Sequence, residues 1–229
     1  MGVKPLRSSV DFPDPRDTLA EGIIAVGGKL DVGTLYAAYS RGIFPWPQPN
    51  LPMLWFSPER RGILEFKDFK VSESLQRFRR KNPQIEFTVN KDFPHVMEEC
   101  AKQPRPGQEG TWITPMMKRA YHDFFKAGYC LSVEVREDNI LIGGIYGVLV
   151  EGVFSGESMF YKKPNASKLA LWYLVDLLKS QGHEWMDVQM VTPVVGSMGG
   201  KYVDREDYLE MLEKRHHSYS QPENPSGDR

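Results

Sequence analysis

The strongest constraint on this chain is the stretch at residues 167–179, which predicts a helix that is apolar on almost every side. Such a helix has to lie inside a protein, because a surface helix keeps a polar face. Apolar stretches of strand length flank it at residues 154–160 and 184–190. The sequence therefore predicts a strand, a central helix and a second strand, in that order.

Polar side chains interrupt both strands at positions where packing residues are expected. Glu157 breaks the apolar run of the first strand. Asp187 and Gln189 share one face of the second strand, because strand side chains alternate. A carboxylate buried in a sheet is costly unless it is paired or hydrogen-bonded, so such residues are usually kept for a function. The alternative is a satisfied polar pair that fixes the register of the sheet.

Upstream of this unit, the pattern predicts capped helices and a hairpin. Three residues are candidate helix N-caps. Asp31 would begin a helix at residues 32–41, Ser72 a helix that runs to residue 81, and Thr114 a helix that starts at residue 115. Alternating apolar residues at 131–135, a polar turn at 137–139 and an apolar return at 140–150 predict a hairpin. Antiparallel strands followed by strand, helix and strand indicate an α+β fold.

Composition is that of an ordinary globular protein. Of the 229 residues, 41% are hydrophobic and 26% are charged, which excludes a wholly disordered chain and a membrane bundle. The N-terminus lacks the apolar stretch of a secretory signal, and no apolar run approaches a membrane span. Two cysteines, Cys100 and Cys130, fit packed thiols in a reducing cytoplasm. Because no metal-ligand spacing is present, we expect a cytoplasmic protein without a metal or a membrane partner.

Positive charge is concentrated at residues 60–81, although the net charge of the chain is −1. The cations there are Arg60, Arg61, Lys67, Lys70, Arg77, Arg79, Arg80 and Lys81. A local basic surface on a near-neutral protein indicates a polyanion that docks at one place. The alternative is an ordinary solvated helix face.

A proline-stiffened aromatic loop covers residues 43–57. Its prolines restrict the backbone around Trp46 and Trp55. Such a loop suits contact with a ligand, and a hydrophobic lid over the protein's own core is the alternative.

Six short motifs carry a family resemblance. They are Gly42-Ile43-Phe44-Pro45-Trp46, Leu54-Trp55-Phe56-Ser57-Pro58, Glu109-Gly110-Thr111-Trp112-Ile113-Thr114, Gly156-Glu157-Ser158-Met159-Phe160, Asn165-Ala166-Ser167-Lys168 and Asp187-Val188-Gln189. In number, order and spacing they closely resemble the leucyl/phenylalanyl-tRNA–protein transferase family, over residues 12–208. The resemblance implies an acetyltransferase-like (GNAT-like) mixed sheet with helices at residues 60–220 and a small N-terminal α/β domain at residues 1–59. Residues 221–229 are expected to form a disordered tail.

The resemblance also implies the substrates. The donor would be an aminoacyl-tRNA, and the acceptor a protein with an N-terminal Lys or Arg, marked in this way for N-degron proteolysis. No cofactor is implied: coenzyme A would need a glycine-rich turn before the central helix, where this chain has Tyr161-Lys162-Lys163-Pro164-Asn165. The implied substrate-binding residues are Trp46, Trp112, Ile145, Ser158 and Phe160, among which Trp46, Trp112 and Ile145 are expected to line the pocket for the aminoacyl side chain. The implied tRNA-binding residues are Lys67, Arg77, Arg79, Arg80 and Lys81.

Glu157, Asp187 and Gln189 are the implied catalytic residues. Positioning is expected to dominate, because the ester is already activated and the attacking α-amine has a pKa of roughly 8. Asp187 would polarise Gln189 and take the proton, and the amide oxygen of Gln189 would orient the amine. Glu157 would contact the aminoacyl adenosine, and Ser158 would hydrogen-bond the developing oxyanion.

The chain departs from the family pattern at two places. Val194 and Val195 stand where a histidine commonly follows the Asp-x-Gln motif, which leaves a histidine-assisted step open. Ile145 stands where many members carry methionine, which leaves the choice among Leu, Phe and Met donors open.

Two other classes of function are alternatives. The first is a non-catalytic tRNA-binding protein, against which the intact Glu157, Asp187 and Gln189 weigh. The second is an acyltransferase with a different donor or aminoacyl specificity, and the missing phosphate turn weighs against a thioester donor.

Overall fold

A computed structural model describes residues 8–18, 20–104 and 111–220 of the protein. The predicted disordered tail at residues 221–229 lies outside the described residues, as do residues 1–7 of the predicted N-terminal domain.

The described part of the chain forms two sheets. The strands are β1 (Ile23–Val26), β2 (Phe44–Pro45), β3 (Leu54–Phe56), β4 (Arg60–Glu65), β5 (Ile85–Val89), β6 (Cys130–Glu137), β7 (Ile140–Val150), β8 (Val153–Tyr161), β9 (Trp185–Gln189) and β10 (Lys201–Asp204). A seven-stranded sheet has the order β10-β4-β9-β8-β7-β6-β5, and a small sheet has the order β1-β3-β2. In the large sheet, β8 and β9 are parallel and the other neighbours are antiparallel.

Helices cover both faces of the large sheet. They are α1 (Val32–Tyr39), α2 (Glu73–Lys81), α3 (Phe93–Lys102), α4 (Pro115–Lys126), α5 (Ala166–Ser180), α6 (Pro193–Ser197) and α7 (Arg205–Ser220). None of them is both long and apolar enough to span a bilayer, within the residues that the structure describes.

Each face of the large sheet packs against its own apolar cluster. The α1 face carries the small sheet, α1, α3 and α4, and its cluster includes Leu35, Phe124 and Tyr146. The α5 face carries α2 and α5, and its cluster includes Leu75 and Ile145. Tyr146 and Ile145 are neighbours on β7, and successive strand side chains point to opposite faces. The N-terminal elements thus share a continuous core with the α1 face.

Most of the predicted elements are confirmed. The caps form hydrogen bonds from Thr34 N to Asp31 Oδ1, Leu75 N to Ser72 Oγ and Met117 N to Thr114 Oγ1, at 2.9, 3.3 and 3.3 Å. The hairpin is β6–β7, and α5 lies between β8 and β9 as predicted. Cys100 and Cys130 are buried free thiols. The sequence patterns therefore predicted these helices, the hairpin and the β8–α5–β9 unit, but they did not predict the five strands β1 to β5.

The elements after β9 have no counterpart in the sequence patterns. The structure forms α6, β10 and α7 there. The buried face of α7 rests on few residues, Tyr208, Leu209 and Leu212, in a segment that is otherwise strongly charged. An apolar stripe that sparse gives too weak a periodic signal to predict a helix.

Candidate active site

Glu157 and Gln189 are brought together where β8 and β9 run in parallel. The two strands pair at Ser155 and Asp187, and Glu157 and Gln189 each lie two positions further along. Glu157 is the extra residue of a bulge in β8 opposite β7, and Val188 is the extra residue of a bulge in β9 opposite β4. Bulges bend a strand and re-aim side chains, and they are over-represented next to active sites.

The Glu157 carboxylate accepts hydrogen bonds from three segments of the chain. Its Oε1 accepts from Tyr39 Oη at 2.7 Å and from Gln189 Nε2 at 2.8 Å. Its Oε2 accepts from Tyr121 Oη at 3.2 Å. The hydroxyls of Tyr39 and Tyr121 also hydrogen-bond to each other. Tyr39 ends α1 and Tyr121 lies in α4, so helices of the α1 face hold the carboxylate in place.

This ring of oxygens has room for one additional proton. Three contacts join the two hydroxyls and the carboxylate, but two tyrosine hydroxyls supply only two hydrogens. All three contacts are hydrogen bonds only when Glu157 itself carries a proton. The geometry is therefore that of a carboxyl group that can take up a proton and donate it to a neighbouring hydroxyl.

The surroundings raise the pKa of Glu157 and of both tyrosine hydroxyls. Burial, and to a lesser extent the negative charge of Asp187, raises the pKa of Glu157 to about 7, against the lowering effect of its three hydrogen-bond donors. Burial and the Glu157 charge raise the pKa of Tyr39 and of Tyr121 well above the usual value, so both hydroxyls remain protonated. A carboxyl group with a pKa near neutrality suits proton transfer at physiological pH.

Asp187 is fully buried and bound to a buried arginine. Arg61 donates from Nε to Oδ1 at 2.9 Å and from Nη2 to Oδ2 at 2.7 Å. Ser155 Oγ and Tyr208 Oη each donate to Oδ2 at 3.2 Å. Arg61 was counted with the basic surface in the sequence, but only 1% of its side chain is exposed. Asp187 is thus a fixed ion with both oxygens occupied.

Asp187 contacts Gln189 through the backbone and not, as expected, through the side-chain amide. The backbone N of Gln189 donates to Asp187 Oδ1 at 2.8 Å. Gln189 has a φ of 58°, a left-handed conformation that is energetically unfavourable for residues other than glycine. Gly62 lies opposite Gln189, and a Cβ there would come within 2.9 Å of the Met190 carbonyl carbon. Among the described residues, none donates a hydrogen bond to Gln189 Oε1.

The predicted pocket residues divide between the two faces of the sheet. Trp46 and Trp112 are half-buried against the cluster of the α1 face, and Phe160 is buried within it. Ser158 follows Glu157 and lies opposite Tyr146, on the same face. Ile145 lies on the opposite face, buried in the cluster beneath α5. The structure therefore does not bring Ile145 to the site, since the side chain directly before Tyr146 on β7 must point away from it.

The predicted tRNA-binding residues also differ in their environments. Arg77, Arg80 and Lys81 are exposed on α2, which packs on the α5 face, opposite to Glu157. Arg79 is half-buried over the ring of Phe87 at 5.1 Å, and its Nη1 donates to Asn82 O at 3.0 Å, so it holds the end of α2. Lys67 is exposed and ion-paired with Glu65 at 3.0 Å.

Four residues that contact the site were not predicted as site residues: Tyr39, Tyr121, Arg61 and Tyr208. Tyr39 and Tyr121 belong to apolar helix faces, and Arg61 belongs to a basic run. A buried tyrosine hydroxyl needs a hydrogen-bond partner, so a tyrosine on an apolar stripe is a signal that could have been followed. At the positions of the missing histidine, Val194 and Val195 pack against the cluster of the α5 face.

Comparisons with known proteins match one family over most of the chain. A family model described as leucyl/phenylalanyl-tRNA protein transferase matches residues 63–213, and the model of the N-terminal domain of that transferase matches residues 28–59. The leucyl/phenylalanyl-tRNA–protein transferase of Pseudoalteromonas atlantica is 44% identical over 211 residues, covering 91% of this chain and 89% of the relative. The protein of the same name from Maridesulfovibrio salexigens is 45% identical over 207 residues, covering 89% and 85%.

Among solved structures, L-PGS from Bacillus licheniformis aligns with 64% of this chain and 45% of its own. The sequence identity is 16% and the TM-score is 0.39. That overlap is too limited to assign a fold.

Proposed function

The chain belongs to the leucyl/phenylalanyl-tRNA–protein transferase family, and we propose that Glu157 and Gln189 form its catalytic centre. An enzyme of this family transfers an aminoacyl group from tRNA to a protein. The observation that carries the proposal is the ring of Glu157, Tyr39 and Tyr121, which has room for one proton, with the Gln189 amide 2.8 Å from the carboxylate.

The reaction needs one proton acceptor. The α-amine of the acceptor protein attacks the carbonyl carbon of the aminoacyl ester, and a proton passes from the amine nitrogen to Glu157 as the C–N bond forms. The C–O bond to the tRNA ribose then breaks, and the proton moves to the ribose oxygen. A single carboxyl group can serve both steps because its pKa of about 7 lies near the operating pH.

Gln189 orients the amine in this proposal. Its Nε2 is held by Glu157, which leaves Oε1 as the acceptor for an incoming N–H. Asp187 holds the backbone of Gln189 and is not the proton acceptor in this proposal, because it is the ion-pair partner of the buried Arg61. Ser158 is the candidate hydrogen-bond donor to the developing oxyanion.

The acceptor and donor classes can be tested directly. We expect transfer of radiolabelled Leu and Phe from tRNA to peptides beginning in Lys or Arg, and none from Arg-tRNA or to peptides beginning in Glu. The family resemblance supports this acceptor class. A protein that binds Phe-tRNA but transfers to none of these peptides would favour the non-catalytic alternative.

We also propose a GNAT-like catalytic domain and a separate small N-terminal domain. A GNAT-like catalytic domain at residues 60–220 is supported by antiparallel strands that lead into the β8–α5–β9 unit. An N-terminal domain at residues 1–59 is supported by the break between the two family matches near residue 60. Because the donor is an aminoacyl-tRNA, we place the reaction in the cytoplasm, where it would mark acceptors for N-degron proteolysis.

Trp112 is proposed to line the aminoacyl pocket and to select donor side chains by their apolar size. Trp112→Ala should lower transfer from both Phe-tRNA and Leu-tRNA, and the two losses should differ by at most about 1–3 kcal/mol in transition-state binding, the range for an apolar pocket. Single-turnover rates with each donor measure this. Trp172→Ala is the matched control, because Trp172 is also half-buried but packs on the α5 face. If Trp112→Ala and Trp172→Ala lower the transfer rate equally, Trp112 has only a packing role.

The exposed cations of α2 are proposed to contact tRNA phosphates. Replacing Arg77, Arg80 and Lys81 with Ala should weaken tRNA binding, and each lost contact should reduce the slope of log K against log salt by about 0.7–0.9. Binding titrations at several salt concentrations measure the slope. Lys29, Lys91 and Lys126 are exposed in or beside α1, α3 and α4, away from the α5 face, so their triple Ala variant controls for the same change in net charge. An unchanged slope in the α2 variant would exclude this surface.

A further inference from the structure

We propose that Arg61 and Tyr208 are positioning residues for the transfer reaction, acting on Gln189 through Asp187. The inference rests on the proposed function of Glu157 and Gln189. It concerns two residues that touch neither Glu157 nor the side chain of Gln189 in the described contacts.

Arg61 is fixed on every side. Its guanidinium forks onto both Asp187 oxygens at 2.9 and 2.7 Å, and Nη1 donates to Gly42 O at 3.0 Å. The guanidinium also lies over the rings of Phe44 and Tyr208, at 4.7 and 4.6 Å from their centroids. A planar guanidinium that binds three oxygens and contacts two rings is tightly restrained, and a lysine could not reproduce these contacts.

The fixed pair in turn sets the backbone of Gln189. Asp187 Oδ1 accepts from Arg61 Nε and from the backbone N of Gln189, so a single oxygen links the arginine to the left-handed residue. A left-handed conformation at a glutamine persists only when the surrounding structure holds it. That conformation directs the side-chain amide to Glu157. Movement of Asp187 would therefore displace the Gln189 amide from the carboxylate.

Tyr208 connects the same pair to α7. Its hydroxyl donates to Asp187 Oδ2 at 3.2 Å. Burial raises the pKa of Tyr208, so the hydroxyl remains a donor. Gly42 and Phe44 come from the N-terminal elements, β4 supplies Arg61, and α7 supplies Tyr208. Three separate parts of the chain thus determine where Gln189 points.

Two variants test this, each with a matched control. Arg61→Lys keeps the charge and loses the bidentate contact with Asp187. Its control, Arg16→Lys, loses a bidentate contact with Glu206 at the surface. Tyr208→Phe keeps the ring and loses the hydroxyl, and Tyr36→Phe removes another tyrosine–carboxylate bond, to Glu151. We measure the single-turnover rate and KM per folded molecule, and the side-chain amide resonance of Gln189 in labelled protein.

We expect Arg61→Lys to slow the maximal transfer rate by about 10²-fold, the cost of a small misplacement of a reacting group. Tyr208→Phe should produce a smaller loss. KM for aminoacyl-tRNA should stay unchanged, and both variants should shift the Gln189 amide resonance, whereas the controls should not.

Wild-type rates per folded molecule in both variants would overturn the inference, as would a rise in KM with an unchanged maximal rate. If Glu157→Gln retained full activity, the proposed function would fail instead. The Gln189 resonance would still decide the inference in that case, because it does not depend on activity: an unmoved resonance in Arg61→Lys would overturn it.

Discussion

Glu157→Gln is expected to slow transfer by about 10²–10⁴-fold, the usual contribution of a positioned proton acceptor. The substitution keeps the size of the side chain and an oxygen for the tyrosine hydroxyls, but removes the proposed proton acceptor. Affinity for aminoacyl-tRNA should be retained. Single-turnover transfer from Phe-tRNA to a peptide with an N-terminal Arg, together with a tRNA-binding titration, measures both quantities.

Glu151→Gln is the control for this substitution. Glu151 also accepts a hydrogen bond from a tyrosine hydroxyl, that of Tyr36 at 2.8 Å, but it lies in the turn between β7 and β8. The control should transfer at the wild-type rate. Equal rates for Glu157→Gln and wild type would mean that the carboxylate is structural.

Glu157 should also affect how stability depends on pH. Its pKa is raised from 4.5 to about 7 in the folded protein. Between these values the folded state binds more protons than the unfolded state, so the free energy of unfolding should decrease as pH rises through this window. In Glu157→Gln that contribution should be absent.

Asp187→Asn is expected to lower the free energy of unfolding by about 3–5 kcal/mol, because it leaves the Arg61 charge buried without its partner. Arg61 is 1% exposed and Asp187 is 0% exposed, so water cannot replace the lost carboxylate. Urea denaturation measures the change. Transfer should also decrease, since the neutral amide cannot bind Arg61 through two oxygens and the group that holds the Gln189 backbone is no longer fixed.

The paired replacement Arg61→Met with Asp187→Leu separates the two effects. Apolar side chains of similar size can replace a buried ion pair at little cost, so stability should recover relative to Asp187→Asn. Transfer should stay low, because neither replacement can hold Gln189. If Asp187→Asn has wild-type stability, the ion pair does not hold this region of the sheet.

The sequence predicted the two strands of the candidate site because their signals are local. Glu157, Asp187 and Gln189 each interrupt an apolar strand, and the helix between the strands is apolar on almost every side. The N-caps of α1, α2 and α4 were equally readable from single side chains. A pattern along the chain thus indicates which residues are unusual, but not which residues they contact.

The contacts themselves depend on details that no local pattern carries. A bulge in each strand sets where Glu157 and Gln189 point, and alternation alone did not predict that Asp187 would bind the Gln189 backbone. Arg61 is part of a run of cations, yet it is the buried partner of Asp187. Ile145 was placed by resemblance in the pocket, whereas its position on β7 directs it to the other face.

The pH dependence of single-turnover transfer tests the central role of Glu157 most directly. With a peptide acceptor, the wild-type rate should rise through a pKa of about 7 for Glu157 and again through roughly 8 for the α-amine. In Glu157→Gln only the second rise should remain. If the wild-type profile has no inflection near 7, or if Glu157→Gln keeps it, Glu157 is not the proton acceptor.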